Sequence, residues 1–150
     1  MAIDLQIIKK LRNVTSASIA DVRRALDETN GDEKKALEWL KKRASEIAAK
    51  KADRETGEGL IEAYIHGGGK VGVLVEVLCE TDFVAKTDEF KRLCKEVAMQ
   101  IAAMNPKDVD ELLNQDYIRD AGQTIEGMVK EVIGKLGENI TVKKFTRFEI

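Results

Sequence analysis

Apolar and polar residues alternate most regularly in the middle of the chain. Two runs, Leu60 to His66 and Val71 to Cys79, show the period-2 pattern that is typical of strands with one buried face. Gly67-Gly68-Gly69-Lys70 separates the two runs, so the pattern predicts a β-hairpin. A third alternating run, Asn139 to Ile150, predicts a closing strand. The apolar side of that strand is predicted to carry Ile140, Val142, Phe148 and Ile150.

Helical periodicity, with apolar residues three or four positions apart, predicts the remaining elements. Three short helices are expected in the first 45 residues, and Ser18 and Asp32 have the residue types preferred at the N-caps of the second and third. A long helix begins near Asp88, and a later one follows Thr124 and ends at Gly137. The predicted buried stripes are Ile19, Val22, Ala25 and Leu26; Phe90, Leu93, Cys94, Val97, Ile101 and Met104; and Ile125, Met128, Val129, Val132, Ile133 and Leu136.

These elements predict an α+β chain: a three-helix bundle followed by a small antiparallel sheet of about three strands packed with helices. The predicted boundaries are 1–45 for the bundle, 46–58 for a helical and charged linker, and 59–150 for the α+β core. Between the long helix and the last one, Asp108 to Asp120 is predicted to be a charged, weakly helical stretch.

Composition and charge narrow the class of protein. The 150 residues are 43% hydrophobic and 35% charged, which is enough apolar material for a packed core. Residues 1–54 carry 13 Lys/Arg against 9 Asp/Glu, whereas residues 55–150 carry 12 against 18. This asymmetry predicts two modules with different surfaces and disfavours direct nucleic-acid binding, which usually needs a basic domain. Long apolar runs and a secretory signal pattern are lacking, so we expect no membrane span and a cytoplasmic protein.

The sequence offers little for catalysis or metal binding. It contains neither the G-x-S-x-G nor the H-E-x-x-H motif. Cys79 and Cys94 lack zinc-site spacing and His66 is the single histidine, so we expect two buried free thiols and no metal. The glycine-rich turn departs from the phosphate-loop pattern, because Val71 follows Lys70 and a strand follows the turn. We therefore expect a binding protein without a cofactor, and not an enzyme.

The segment between the hairpin and the long helix is the best candidate for a functional loop. Thr81 to Lys86 is a short connection between two packed elements, and Phe83 lies at its tip between Asp82 and Val84. Two interpretations of Phe83 are open. It inserts into a partner, or it folds back onto the core as most large apolar side chains do.

The same segment carries a family resemblance. Thr81-Asp82-Phe83-Val84, with Cys79 before it and Ala85-Lys86 after it, resembles the signature of the bacterial elongation factor Ts family. Similarity extends over nearly the whole chain. It includes Leu11-Arg12, Thr15, Asp21 to Leu26, Asn30-Gly31-Asp32, Ala48 to Ala52, Tyr64 to Gly67, Val71 to Glu76, Gly137 to Ile140 and Arg147-Phe148-Glu149.

The resemblance implies a translation elongation factor that binds elongation factor Tu in its GDP form and promotes release of GDP for replacement by GTP. In the family, the segment equivalent to Thr81-Asp82-Phe83-Val84 enters the nucleotide domain of the GTPase and dislodges Mg²⁺. The bundle is similar to the family's amino-terminal domain, whose fold is like that of ubiquitin-associated (UBA) domains. That likeness implies partner-facing positions at Lys9, Ile19, Ala20 and Arg23.

The bundle also departs from the family pattern. Ser16 and Ser18 stand where glycines are usual, and Ile19 and Ala20 stand where two methionines are usual. Ala20 in particular offers less apolar contact to a partner. Two other functions therefore stay open at this point. One is a UBA-like adaptor without exchange activity, and the other is an RNA-binding α+β domain, which the acidic second module disfavours.

The predicted sheet suggests an assembly. One of its faces is expected to carry Leu74 and Leu78 with Tyr64 as a diagonal neighbour, and an exposed apolar face is a liability for a monomer. Short members of the family pair through the core, so we expect a homodimer mediated by residues 59–150. Glu76 and Glu80 are predicted to share that face. Their charges would then need Lys143 or Arg147 across the seam.

Overall fold

The computed structural model describes residues 2–150 as seven helices and five strands. The helices are α1 Leu5–Thr15, α2 Ile19–Glu28, α3 Glu33–Lys51, α4 Asp82–Ala85, α5 Asp88–Met104, α6 Val109–Asn114 and α7 Ile125–Leu136. The strands are β1 Glu58–His66, β2 Val71–Cys79, β3 Asp116–Tyr117, β4 Asp120–Thr124 and β5 Thr141–Glu149. The predicted α+β class is confirmed, with an amino-terminal helical bundle and an antiparallel three-stranded sheet of order β1-β2-β5.

The first three helices are set by their caps and by one apolar cluster. Asp4, Ser18 and Asp32 each accept a hydrogen bond from a backbone amide in the first turn of the helix that follows. The buried cluster between the helices consists of Ile8, Leu11, Val22, Ala25, Leu26, Ala36 and Leu40. The prediction that Ile19 is buried was wrong. It is the first residue of α2, and its side chain is 48% exposed.

Helix α3 connects the bundle to the sheet without a break. Ala36 and Leu40, near its start, belong to the bundle cluster, whereas Ala48 belongs to the larger cluster under the sheet. The helix packs along α7. Residues 46–51, the first part of the predicted helical and charged linker, are the last turns of this helix, and residues 52–57 connect it to β1.

The main sheet buries one face against α5. Val73, Val75, Val77 and Cys79 are at most 2% exposed, and Phe90, Cys94, Val97 and Ile101 of α5 are fully buried against the same cluster.

Gly59 lies opposite Leu78 with φ of 150°. A Cβ at this position would lie 2.1 Å from the carbonyl oxygen of Val77, so the close approach of β1 to β2 requires glycine here.

A β-bulge in β5 reverses the side chains that follow it. Val77 pairs with Val142, but the preceding residue of β2, Glu76, pairs with Lys144, so Lys143 is extra. After the bulge Phe145 and Arg147 point to the buried face. Phe148 and Ile150 are 71% and 92% exposed, and the prediction that they lie on the apolar inner side was wrong.

The strand register also corrects the prediction of which residues lie on the uncovered face of the sheet. Tyr64 pairs with Val73 on the buried face, so it is not a neighbour of Leu74, which lies opposite Ala63. Arg147 points inward, and its guanidinium donates hydrogen bonds to the Ala102 carbonyl. On the outer face Glu76 pairs with Lys144. Arg147 is on the buried face, so it cannot offset the charge of Glu76 as predicted.

Two further details differ from the predictions. Met104 is 49% exposed at the end of α5, although the periodic stripe placed it in the core. Asp108 to Asp120 was predicted as weakly helical, but it contains the short helix α6 and the first strand of the β3–β4 hairpin. The fully buried Gln100 holds this hairpin by donating to the Asp116 carbonyl and accepting from the Ile118 amide. Among residues 2–150, no helix is long and apolar enough to cross a membrane.

Candidate partner-binding site

The candidate loop is a single helical turn fixed at its start. Thr81 is the N-cap of α4, with extended φ and ψ of −128° and 155°, and its Oγ1 accepts a hydrogen bond of 3.3 Å from the Val84 amide. Val84 packs partly against the core and Ala85 is 4% exposed. The inward side of the turn is thus anchored, and the other side is free to face solvent.

Phe83 lies on the free side. Its side chain is 82% exposed, which makes it one of the most exposed large apolar residues of the described chain. The interpretation that Phe83 folds back onto the core is wrong for this conformation, because the inward positions of the turn are taken by Val84 and Ala85. An exposed aromatic on a rigid support is typical of residues that bind a partner.

Asp82 adds charge beside the aromatic ring. Its carboxylate pairs with the Lys86 ammonium at 3.2 Å, and both side chains are more than half exposed. A surface pair of this kind contributes only ~0–1 kcal/mol to stability. The carboxylate can therefore exchange its partner at little cost.

A carboxylate distant in sequence holds the base of the loop. Glu138, between α7 and β5, accepts hydrogen bonds from the Glu80 amide, the Thr81 amide and the Thr81 hydroxyl, at 3.1, 3.0 and 2.7 Å. Sequence reasoning did not single out Glu138. The only signal was its place in the Gly137-Glu138-Asn139-Ile140 segment that resembles the family.

Neither cysteine is a reactive group. Burial raises the pKa of the Cys79 thiol to about 11 and that of the Cys94 thiol to about 12, so both are protonated near neutral pH. Both are free and buried, as predicted. Cys79 donates a hydrogen bond to the Thr81 carbonyl, which makes it a further support of the loop.

The bundle presents a second candidate surface. Lys9, Ile19 and Arg23 come together on a groove of about 490 Å³ between α1 and α2, and Ala20 is exposed next to Ile19. Lys135 of α7 reaches the same groove, so the groove lies where the bundle meets the core. Its other lining residues are Leu5, Ile8, Arg12, Asn13 and Ser16. The lining of the groove combines apolar residues with the basic Lys9, Arg12, Arg23 and Lys135.

Comparison with known proteins identifies the family of the chain. The sequence model of the family described as elongation factor TS matches residues 80–150, which include the Phe83 loop and Glu138. Elongation factor Ts of Caldanaerobacter subterraneus subsp. tengcongensis is 42% identical over 192 aligned positions, covering 98% of this chain and 96% of that protein. The chain belongs to the elongation factor Ts family. It is therefore a translation elongation factor by family.

Two other relatives show how much of an elongation factor Ts sequence this chain matches. Elongation factor Ts of Oleidesulfovibrio alaskensis is 40% identical, with 99% of this chain and 98% of the relative covered. That of a Nostoc species is 46% identical over 148 residues, which cover 99% of this chain and 47% of the relative. The alignment with the Caldanaerobacter protein is longer than this chain, so that elongation factor Ts has segments without a counterpart here.

Proposed function

We propose that this protein is the guanine-nucleotide exchange factor of elongation factor Tu. The observation that carries the proposal is the exposure of Phe83, 82%, on a capped and anchored turn in a chain of the elongation factor Ts family. An exposed ring on a turn already fixed loses little conformational freedom when it inserts into a partner.

Exchange of this kind needs no covalent chemistry from the factor, so the protein is not an enzyme in that sense. A factor that binds the nucleotide-free GTPase more tightly than the GDP form must weaken GDP binding by the same factor. The task of the protein is to make contacts that compete with bound nucleotide and its Mg²⁺. GTP then replaces the released GDP.

The Phe83 loop supplies the competing contacts. Thr81 and Val84 frame the turn, Phe83 enters the partner, and Asp82 brings a carboxylate that competes for the metal or repels the phosphates. Burying one phenylalanine contributes ~1.5–3 kcal/mol, which corresponds to about 10- to 150-fold in affinity. A larger acceleration needs further contacts.

The bundle groove supplies those further contacts. Lys9, Ile19, Ala20 and Arg23 are all exposed, and the basic residues of the groove would favour an acidic surface on the partner. We assign this groove to docking and the Phe83 loop to nucleotide release. Loss of the groove should then weaken binding of the GTPase, whereas loss of Phe83 should slow the release step.

The proposal is tested by the release of a fluorescent GDP analogue from elongation factor Tu, measured by stopped flow with an excess of unlabelled GDP. We expect catalytic amounts of the protein to accelerate release, in proportion to its concentration below saturation. Excess Mg²⁺ should partly oppose the effect. An unchanged dissociation rate at micromolar protein would contradict the proposal.

We also propose that the protein forms a homodimer through the outer face of its sheet, within residues 59–150. Ile61, Ile65, Leu74 and Phe148 lie on this face and are 48–72% exposed, which supports an apolar contact. Glu76 and Lys144 are neighbours there, and neither is in an ion pair within residues 2–150. A two-fold axis through the face would let Glu76 of one copy pair with Lys144 of the second.

A further inference from the structure

The base of the Phe83 loop is held by two carboxylates that exchange hydrogen bonds with each other's turns. Glu138, in the α7–β5 turn, accepts from the Glu80 amide, the Thr81 amide and the Thr81 hydroxyl. In return, the Glu80 carboxylate accepts a hydrogen bond of 2.8 Å from the Asn139 amide. The two turns are therefore locked in one relative position, although nearly sixty residues separate them.

The lock formed by Glu80, Thr81, Glu138 and Asn139 also includes the end of α3. The Asn139 side-chain amide, 7% exposed, donates to the carbonyls of Ala52 and Arg54 at 3.3 and 2.9 Å. The Arg54 guanidinium lies 3.6 Å from the Glu80 carboxylate. Both carboxylates, Glu80 and Glu138, accept hydrogen bonds, and hydrogen bonds to a carboxylate are stronger than those between neutral groups.

The direction of the hydrogen bonds explains how Glu138 affects the position of Phe83. Because the Thr81 hydroxyl donates its hydrogen bond to Glu138, its lone pairs are free to accept a hydrogen bond from the Val84 amide. Glu138 thus fixes the rotamer of the residue that caps α4. Phe83 itself is 82% exposed and contributes almost nothing to anchoring the turn.

We propose that Glu138 is a positioning residue for nucleotide exchange: it holds Thr81 so that α4 presents Phe83 in one orientation before the partner arrives. This inference rests on the proposed function for its consequence in exchange. The geometric part, the ordering of the turn by Glu138, stands on the free protein. Preorganisation lowers the ordering cost of insertion and acts on the release step more than on docking.

The exchange test compares three variants with the wild type. Glu138→Ala removes all three acceptor contacts, whereas Glu138→Gln keeps a carbonyl oxygen for the two backbone amides. Glu126→Ala is the matched control, because Glu126 is on the helix that precedes the turn and, within residues 2–150, its one ion pair is with Lys130 at the surface. We expect Glu138→Ala to slow the maximal rate of GDP release about tenfold, equivalent to about 1.4 kcal/mol. Half-saturation should change less than about threefold, Glu138→Gln should recover most of the rate, and the control should match the wild type.

A second readout on the free protein separates this inference from the proposed function. Amide hydrogen exchange and ¹⁵N relaxation at Thr81, Phe83 and Val84 should show faster exchange and greater mobility in Glu138→Ala, with the signals of the sheet unchanged. Unaltered amides in that variant, or a maximal release rate equal to that of the wild type, would overturn the positioning role. If the wild-type protein does not accelerate the release of GDP from elongation factor Tu, the proposed function is wrong. The amide data alone then decide whether Glu138 orders the turn.

Discussion

At the scale of single residues, the site depends on which side chains the turn leaves exposed. Four consecutive residues divide into two outward positions, Asp82 and Phe83, and two inward positions, Val84 and Ala85. The sequence could predict the segment, because its residues stand out between two periodic elements. It could not predict Glu138, since the contacts of that residue join positions 57 and 58 apart along the chain.

The pKa of Glu131 gives a test of electrostatics at this scale. Burial raises the pKa of this carboxyl on α7, Lys41 of α3 opposes the shift and Asp120 of β4 adds to it. A folded-state pKa above the unfolded value means that stability is lost as pH rises through the folded pKa. We expect Glu131→Gln to raise the melting temperature near neutral pH, and the difference from the wild type to shrink as the pH falls towards about 4.

Differential scanning calorimetry across this pH range checks the Glu131 prediction. Glu126→Gln, at an exposed position of the same helix, is the control for a change of net charge. A constant difference between Glu131→Gln and the wild type at every pH would contradict it.

At the scale of elements, caps and periodicity were sufficient for the five longer helices and the β1–β2 hairpin, but not for α4, α6 or the β3–β4 hairpin. Ser18, Asp32 and Thr124 cap the helices that their positions predicted. The strand β5 was predicted correctly, but the buried face of its second half was not. The prediction for Phe148 assumed that the alternation runs through β5 without an extra residue. One extra residue, Lys143, inverts the pattern, and a sequence pattern does not reveal such a bulge.

Gly59 gives a test of strand pairing. Its φ of 150° is unfavourable for residues with a side chain, and a Cβ would lie 2.1 Å from the Val77 carbonyl oxygen and 2.8 Å from the Leu78 Cα. We expect Gly59→Ala to lower the free energy of unfolding by at least about 2 kcal/mol, measured by urea titration.

Gly57→Ala is the matched control for Gly59, since nothing lies within 4 Å of a Cβ built there. The control should change the free energy of unfolding by less than about 1 kcal/mol. Equal effects of the two variants would mean that the close approach of β1 to β2 is not required for stability.

At the scale of the whole molecule, the proposed function assigns roles to the bundle groove, the outer face of the sheet and the Phe83 loop. The bundle and the core have separate apolar clusters joined by α3, and Lys135 brings the core to the edge of the bundle groove. The outer face of the sheet is the surface that we propose for contact with a second copy. The uneven charge of the two halves predicted different surfaces, but the location of the groove at their junction depends on how the halves pack.

A charge exchange tests the proposed dimer. Lys144→Glu would place two carboxylates together on the face, and we expect it to weaken the dimer at least about tenfold. Glu76→Lys should do the same, and the double variant should restore the dimer. Sedimentation equilibrium at micromolar concentration measures the assembly. A wild-type chain that sediments as a single 16.7 kDa species would contradict the dimer.

The central claim is that an exposed, preordered Phe83 drives the release of nucleotide. Its most direct test is the GDP release rate of elongation factor Tu with Phe83→Ala, beside Ile118→Ala as an exposed apolar control on the β3–β4 hairpin. We expect at least about tenfold slower release for Phe83→Ala, the equivalent of burying one phenylalanine, and an unchanged melting temperature. A wild-type rate of release with Phe83→Ala, or a sharp fall in its melting temperature, would contradict the account.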